Sequence, residues 1–523
     1  MEMELEGVRT IPQLVAYAAS RFAAQVAIED QGEVLTYIDL EQAVRDMARA
    51  CIANGVEAGD RVAIWAPNTA RWIVSALGAQ MAGAILVPMN TRLKGREAGF
   101  LLRRSGAKLL LTVSDFLGIN YPDLLREESL PQLEQIVLLS GFGRDMGWES
   151  FLRTGARVAD EIVQQRLDRL QGDDLSDILF TSGTTGNPKG VMTTHEQNLR
   201  VYRNYSRVLG LRVGDRYLIV NPFFSTFGYK AGWLSALMRG ATVLPHAVFD
   251  APKILDRIER DRITVLPGPP TLYQTLLALP NLRDFDLSSL RCAITGAASI
   301  PVELIERMRS DLGFDTVLTG YGLTETCGVV SVCADTDDAK TIATTSGKAA
   351  EGVQMRVVDD AGRDVAAGTP GEIIARGYNI MKGYFQDPEE TARAIDAAGW
   401  LHTGDIGVLD ERGYIRITDR KKDMFIVGGF NCYPAEIENI LLCHPAVMQA
   451  AVIGVPDERL GEVARAYIVL KPGASLTPEE IILWSRQNMA NYKVPRSVEI
   501  RTALPMNASG KVQRFALREE QAT

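Results

Sequence analysis

Up to about residue 400, short apolar runs alternate with longer stretches whose apolar residues recur at helical spacing. RVAIWAP, KLLLTV, QIVLLS, ITVLPG and RCAITG read as buried strands. Each is a short apolar run bounded by polar or turn-forming residues. Strands alternating with helices imply an α/β chain with largely parallel sheets, because parallel neighbours need a crossover connection. The longest uncharged run, Trp72 to Thr91, is long enough to raise a membrane span, but Ser75, Gln80, Pro88 and Asn90 interrupt it. It predicts a soluble helix, a turn at Gly83 and a buried strand over AILVPM.

The pattern changes near residue 420. GYIRITDR reads as a strand, and RKKD follows as a charged, hinge-like run. Beyond it, Pro434 opens a helix through Leu442, and AVMQAAVIGV and ARAYIVL read as strands. In TPEE, Thr477 is a helix cap, Pro478 takes the first helical position and Glu480 the third. The expectation is a large N-terminal α/β domain of several subdomains over residues 1–420 and a small α/β domain over 421–523.

Composition narrows the function. The net charge of -9 argues against a nucleic-acid coat or a polybasic membrane face, so an anionic ligand must be held by a local cluster. Six cysteines form no C-x-x-C pair and four histidines no H-x-x-x-H, which leaves no expected structural metal. MEMELEG is acidic and lacks the basic start and apolar core of a signal peptide. A reduced, cytoplasmic protein with no integral membrane span is expected; a homodimer is compatible with the sequence.

The candidate chemistry starts at LFTSGTTGNPKGV, Leu179 to Val191. It is not a Walker A loop: five residues after Gly183 stands Pro188, and five after Gly186 stands Val191. Its composition still suits phosphate. Gly183, Gly186 and Gly190 let successive N–H groups converge on one oxygen, Thr181, Ser182, Thr184 and Thr185 add hydroxyl donors, and Lys189 adds positive charge. A polar surface loop between strands fits the same residues.

Four further segments follow in order: TGYGLTET (Thr319 to Thr326), GWLHTGDIG (Gly399 to Gly407), TDRKKDMFIVGGFNCYPAEIE (Thr418 to Glu438) and PMNASGK (Pro505 to Lys511). With the loop, they resemble the adenylate-forming superfamily of acyl-CoA synthetases, luciferases and peptide-synthetase adenylation domains, over nearly the whole chain. The resemblance implies an ATP-dependent acid–CoA ligase. Such an enzyme makes an acyl-AMP with release of pyrophosphate, then transfers the acyl group to coenzyme A with release of AMP. Attack of a carboxylate on the α-phosphate brings two anions together, so the site must neutralise developing charge.

Carried over residue by residue, the resemblance implies the following roles. Thr181, Ser182, Gly183, Thr184, Thr185 and Lys189 cradle the β,γ-phosphates. Tyr321 stacks on adenine beside the backbone of Gly296, Ala297 and Ala298, and Asp405 and Arg420 hold the ribose. Thr324 donates to the α-phosphate, Glu325 holds Mg²⁺, and Lys511 reaches the carboxylate and α-phosphate. Lys422 matches the hinge about which the small domain rotates, and Gly428 and Gly429 match the loop lining the pantetheine tunnel. The pattern around Lys511 also resembles the family's acetylation site, which implies a lysine acetyltransferase and deacetylase as partners.

The acyl pocket is expected in NPFFSTFGYKAGW, Asn221 to Trp233, with Phe224, Ser225, Gly228 and Tyr229, and in GPPTLY, Gly268 to Tyr273. Many relatives carry His or an aromatic residue where Ser225 stands, so the smaller Ser leaves room if it gates the pocket. NPFF-x-TFGYKAG looks closest to bacterial ligases acting on alkanoate side chains of degraded rings, including steroid-derived indane propionates. A medium-chain or cyclic acid is the broader expectation. Two alternatives stay open: transfer of the acyl group to a carrier protein, and a non-catalytic acyl or nucleotide sensor.

Overall fold

The computed structural model describes residues 7–181, 188–296, 302–359, 361–420, 425–432, 434–471, 473–505, 512 and 514–522. Its contacts divide the chain into two compact units. The larger holds most of the chain to Thr418; the smaller holds Arg92–Leu101, Phe180–Lys189 and Asp419–Thr523.

The larger unit is the α/β assembly that the pattern predicts. An eight-stranded sheet runs in the order Gly383–Tyr384, Lys189–Thr194, Leu175–Thr181, Ile85–Pro88, Arg61–Trp65, Ala107–Val113, Gln135–Ser140, Met146–Gly147. From Leu175–Thr181 to Met146–Gly147 every neighbour is parallel. The uncharged run from Trp72 folds as expected. Helix Ala70–Met81 is capped by Thr69, whose side chain accepts from the Trp72 N–H, and it is buried on every side except at Arg71. Gly83 turns the chain at φ 92° into Ile85–Pro88, whose four residues are all buried. A helix apolar all round belongs to the core of a large unit. Among the described residues, no helix is long and apolar enough to cross a membrane.

Two expectations are corrected. ITVLPG forms only two isolated bridges, from Val265 to the neighbouring strands at Tyr217 and Cys292. Pro267 follows and has no N–H to extend the ladder. Nor does the largely parallel pattern hold past residue 350. The sheet Val353–Val358, Pro370–Gly377, Leu401–Leu409, Ile415–Arg420 is antiparallel across its first three strands.

In the smaller unit, Val447–Asp457 and Gly461–Leu470 form a long antiparallel pair. Helices Pro434–Leu441 and Pro478–Asn488 cover its core, in which Ile437, Leu441, Val452, Ile468 and Ile481 meet. The first helix ends one residue before the expected Leu442. The second has the expected capping box, with the Thr477 side chain accepting from the Glu480 N–H and Glu480 reaching back to the Thr477 N–H.

His195 serves the fold, as its place after the loop suggests. It opens helix His195–Val208, is wholly buried, and its Nδ1 accepts from the Ile11 N–H at 3.3 Å. Burial pushes the imidazole down from its ordinary 6.5 to about 4, so the ring is neutral in the folded protein. Below pH 6.5 the unfolded chain takes up a proton that the folded chain refuses until about pH 4. Stability therefore falls as pH drops through this window. The melting temperature is expected to decline across it, and His195→Gln, which cannot titrate, to make the decline shallower by calorimetry. An unchanged slope would mean that other groups govern it.

Candidate active site

Two adjacent parallel strands, Cys292–Gly296 and Thr316–Tyr321, run in register with Gly296 opposite Gly320. Gly296 and Tyr321 thus stand at the carboxyl ends of neighbouring strands, where open α/β sheets bind ligands. The Tyr321 hydroxyl donates to Asp405 Oδ2 at 2.6 Å. Tyr321 also packs against the buried cluster of Val357, Ile373 and Ile415.

Asp405 is 1% exposed. It lies in Leu401–Leu409, where the ladder to Pro370–Gly377 shifts register: Glu372 faces Ile406, but Ile374 faces His402. The residues between, Thr403 to Asp405, form a bulge. Bulges re-aim side chains, and this one turns the carboxylate to Tyr321. The Thr403 hydroxyl fixes it by donating to the Ile373 carbonyl at 2.6 Å and accepting from the Asp405 N–H at 3.1 Å. H-T-G-D is therefore not an ordinary turn.

After Tyr321, Thr324–Thr326 makes one tight 3₁₀ turn. Thr326 Oγ1 closes it, accepting from the Leu323 N–H at 3.0 Å and donating to the Leu323 carbonyl at 2.9 Å. Thr324 and Glu325 remain partly exposed on it. Glu325 Oε1 accepts from the Tyr384 hydroxyl at 2.9 Å, and its carbonyl accepts from the Met381 N–H at 2.9 Å. Tyr384 in turn pairs opposite Val191, on the strand that leaves the candidate phosphate loop. No motif marks Tyr384. Its role comes from a contact spanning 59 positions. Two residues after Glu325, burial pushes the Cys327 thiol up to about 12. It stays protonated and is no candidate to accept an acyl group.

Thr181 ends one strand and Lys189 begins the next, with the Thr181 hydroxyl directed at the Lys189 carbonyl at 3.5 Å. Ser182, Gly183, Thr184, Thr185, Ala297, Ala298, Lys422 and Lys511 lie outside the described residues, as does the Arg420 side chain. Gly428 and Gly429, in the smaller unit, are the two-residue loop of the hairpin Phe425–Val427 to Phe430–Cys432. Their φ values of 54° and 85° mark a type I′ turn.

The acyl segment splits in two. Phe224, Ser225, Thr226 and Phe227 are partly exposed. Phe223, Tyr229 and Trp233 instead join Trp72 in a buried aromatic cluster, with Tyr229 stacked on Trp233 at 4.7 Å. Tyr229, expected in the pocket wall, is thus core, because its hydroxyl is held inside by Gln80 at 3.0 Å. Tyr273 is core for the same reason, donating to the Leu266 carbonyl at 2.7 Å. Ser225 has a task that its size did not announce. Its Oγ caps the short helix Thr226–Gly228, accepting from the Gly228 N–H at 3.2 Å and donating to the Pro222 carbonyl at 2.8 Å. Gly228 is required by close approach: a Cβ there would stand 2.2 Å from the Pro222 carbonyl oxygen.

A buried carboxylate held by a tyrosine at the carboxyl ends of parallel strands, with a turn presenting a hydroxyl and a second carboxylate, suits ATP-driven activation of an acid. A family model described as AMP-binding enzyme matches residues 15–385, and one described as AMP-binding enzyme C-terminal domain matches residues 436–511. The chain belongs to the AMP-binding enzyme family. It is an adenylate-forming acid–thiol ligase, with ATP and coenzyme A as its cosubstrates.

The ligase is 47% identical to a 3-[(3aS,4S,7aS)-7a-methyl-1,5-dioxo-octahydro-1H-inden-4-yl]propanoyl:CoA ligase of Rhodococcus jostii, over 98% of each chain. It is 48% identical to a Mycobacterium tuberculosis ligase of the same description, over 98% of this chain and 99% of that one. Among solved structures, a double mutant of o-succinylbenzoate CoA synthetase (MenE) from Bacillus subtilis is similar with a TM-score of 0.81 and 28% identity, over 97% of this chain and 98% of that one. The sensor reading falls away with the family. The expected large and small α/β domains agree with these neighbours.

Proposed function

We propose that this ligase activates a carboxylic acid bearing a fused ring or a medium-length chain. The observation that carries the nucleotide half is the buried Asp405 carboxylate held by Tyr321 at the carboxyl ends of parallel strands. Asp405 and Arg420 take the ribose hydroxyls, and Tyr321 stacks on adenine beside Gly296, Ala297 and Ala298. Residues Thr181 to Thr185, with Lys189, cradle the β,γ-phosphates. Thr324 donates to the α-phosphate, and Lys511 neutralises the approaching carboxylate. Lys422 is the hinge for the C-terminal domain from residue 421 onward, and Gly428 and Gly429 flank the pantetheine arm.

Glu325 offers the hard carboxylate oxygen that Mg²⁺ prefers, and its anchoring by Tyr384 supports that role. When bound, Mg²⁺ supplies charge neutralisation at the phosphates. Tyr384→Phe is therefore expected to raise the Mg²⁺ concentration for half-maximal pyrophosphate release by about three- to tenfold, the worth of one hydrogen bond. An unchanged Mg²⁺ titration would remove Tyr384 from this role.

The ring-bearing substrate is supported by the two ligases of nearly half identity, whose names specify an indane propanoate. Phe224, Ser225 and the backbone at Gly228 line its site in this reading. A cytoplasmic setting fits such a ligase, and acetylation of Lys511 would silence it by erasing the charge. The test is a mass-resolved assay with ATP, Mg²⁺, coenzyme A and short, medium, long, aromatic and alicyclic acids. Acyl-CoA with matching AMP, strongest for the alicyclic or medium-chain acids, is the expected result. Preference for a short or aromatic acid would overturn the substrate assignment; acyl-adenylate without thioester would move the acceptor to a carrier protein.

A further inference from the structure

Lys230 and Asp177 form an ion pair that is 0% exposed on both sides, with Nζ to Oδ1 at 2.8 Å. Burying two charges is costly, and an apolar pair of similar volume is commonly as stable or more so. Stability alone is thus a weak reason for the pair. Its attachments suggest another. Lys230 lies within the acyl segment, in a π-helical turn over Tyr229–Leu234 that breaks at Gly232. Asp177 lies on Leu175–Thr181 and Thr193 on Lys189–Thr194, the strands that enter and leave the phosphate loop. The Lys230 ammonium donates to both, reaching Thr193 Oγ1 at 2.8 Å.

The pair sits in a wider buried network. The Thr193 hydroxyl donates to Asp177 Oδ1 at 2.7 Å; Asp177 Oδ2 accepts from Ser176 Oγ at 2.7 Å and Asn198 Nδ2 at 2.9 Å. Gln80 Nε2 bridges the Ser176 carbonyl and the Tyr229 hydroxyl, each at 3.0 Å. One buried cation therefore joins the acyl segment to both strands of the phosphate hairpin.

We propose that Lys230 is a positioning residue that holds the acyl segment in register with the strands that flank the phosphate loop, through Asp177 and Thr193, so that the acid carboxylate and the α-phosphate meet at attack distance. The inference rests on the proposed roles of those two segments. Lys230 is sealed in the interior and acts through its neighbours. Its loss should misplace two bound substrates relative to each other while sparing the binding of each. Misplacement by about 1 Å costs up to about a hundredfold in rate.

The experiment measures acid-dependent pyrophosphate release for the full chain, with the acid found active in the panel. The double variant Lys230→Met/Asp177→Leu removes both charges and keeps most of the volume. It is expected to fold and to lose about tenfold or more in kcat, with both KM values within about threefold. Thr193→Val cuts one tie without stranding a charge, and a fall of about threefold in kcat is expected. A folded double variant with wild-type kcat, or a loss confined to KM, overturns the proposal. If the double variant does not fold, an unchanged kcat in Thr193→Val overturns it. Wild-type protein that releases no pyrophosphate with any acid overturns the underlying reading of the two segments instead.

Discussion

Lys511→Ala is expected to slow acyl-adenylate formation by about a hundredfold to a thousandfold, as loss of a key charge-stabilising donor does in other sites. Thioester formation from supplied acyl-adenylate should be largely spared. The asymmetry follows from where charge develops. In the first half-reaction a carboxylate attacks a phosphate that already carries negative charge, and an ammonium between them stabilises the transition state more than the separated substrates. In the second, a thiol attacks a neutral acyl carbon, and the carboxylate–phosphate repulsion is gone. Lys511→Arg keeps the charge but changes its geometry from a point to a planar fork. It should recover only part of the rate. Lys511→Gln, which has the neutrality of acetyl-lysine, should resemble alanine. Pyrophosphate release reads the first half and thioester from synthetic acyl-AMP the second. Equal losses in both would show that Lys511 does not serve adenylation.

The motif residues were legible because each sits in a local segment of unusual composition, and the chemistry constrains that segment. Tyr321, Glu325 and Asp405 belong to such segments, and Tyr321 and Asp405 touch across 84 positions. What holds them was not legible. Tyr384 anchors Glu325, and Lys230 pairs with Asp177 across 53 positions. Neither pair has a local pattern, and a lysine beside a run of aromatics reads from sequence as a solvated or snorkelling side chain. Ser225 shows a different limit. Its small size suggested an open gate, whereas the hydroxyl is tied to the backbone as a helix cap. Size is visible in a sequence; a hydrogen-bond partner three residues away competes with it and is not.

The fold divides along the same line. The buried parallel strands were readable because both faces are covered and the apolar runs are continuous. The antiparallel sheet after Val353 alternates buried and exposed positions less cleanly, as in Val353–Val358. Val353–Val358 to Pro370–Gly377 and Leu401–Leu409 to Ile415–Arg420 connect without a helix, and the helix Pro388–Ala394 between Pro370–Gly377 and Leu401–Leu409 joins antiparallel neighbours. Val265 makes only isolated bridges although its burial is complete: Pro267 offers no N–H, while Leu266 and Gly268 still donate to Cys292 and Ile294.

Gly429→Leu is expected to give the reverse of Lys511→Ala: pyrophosphate release near the wild-type rate and thioester formation reduced by about tenfold to a hundredfold. The turn complicates the test. Gly429 has φ 85° in a two-residue hairpin loop, so any Cβ there meets backbone strain as well as obstructing a passing ligand. Strain costs about 1–2 kcal/mol for an ordinary residue. Asparagine tolerates that conformation better than leucine, yet its side chain is still bulky. The two substitutions therefore separate the causes. If the glycine is needed because the pantetheine arm passes close to the backbone, Gly429→Asn should lose thioester formation almost as fully as Gly429→Leu while melting near the wild-type temperature. If it is needed only to make the turn, Gly429→Asn should retain both half-reactions, and the tunnel role would be withdrawn. Loss of both half-reactions in Gly429→Asn would point to misfolding of the hairpin, which the melting temperature reads directly.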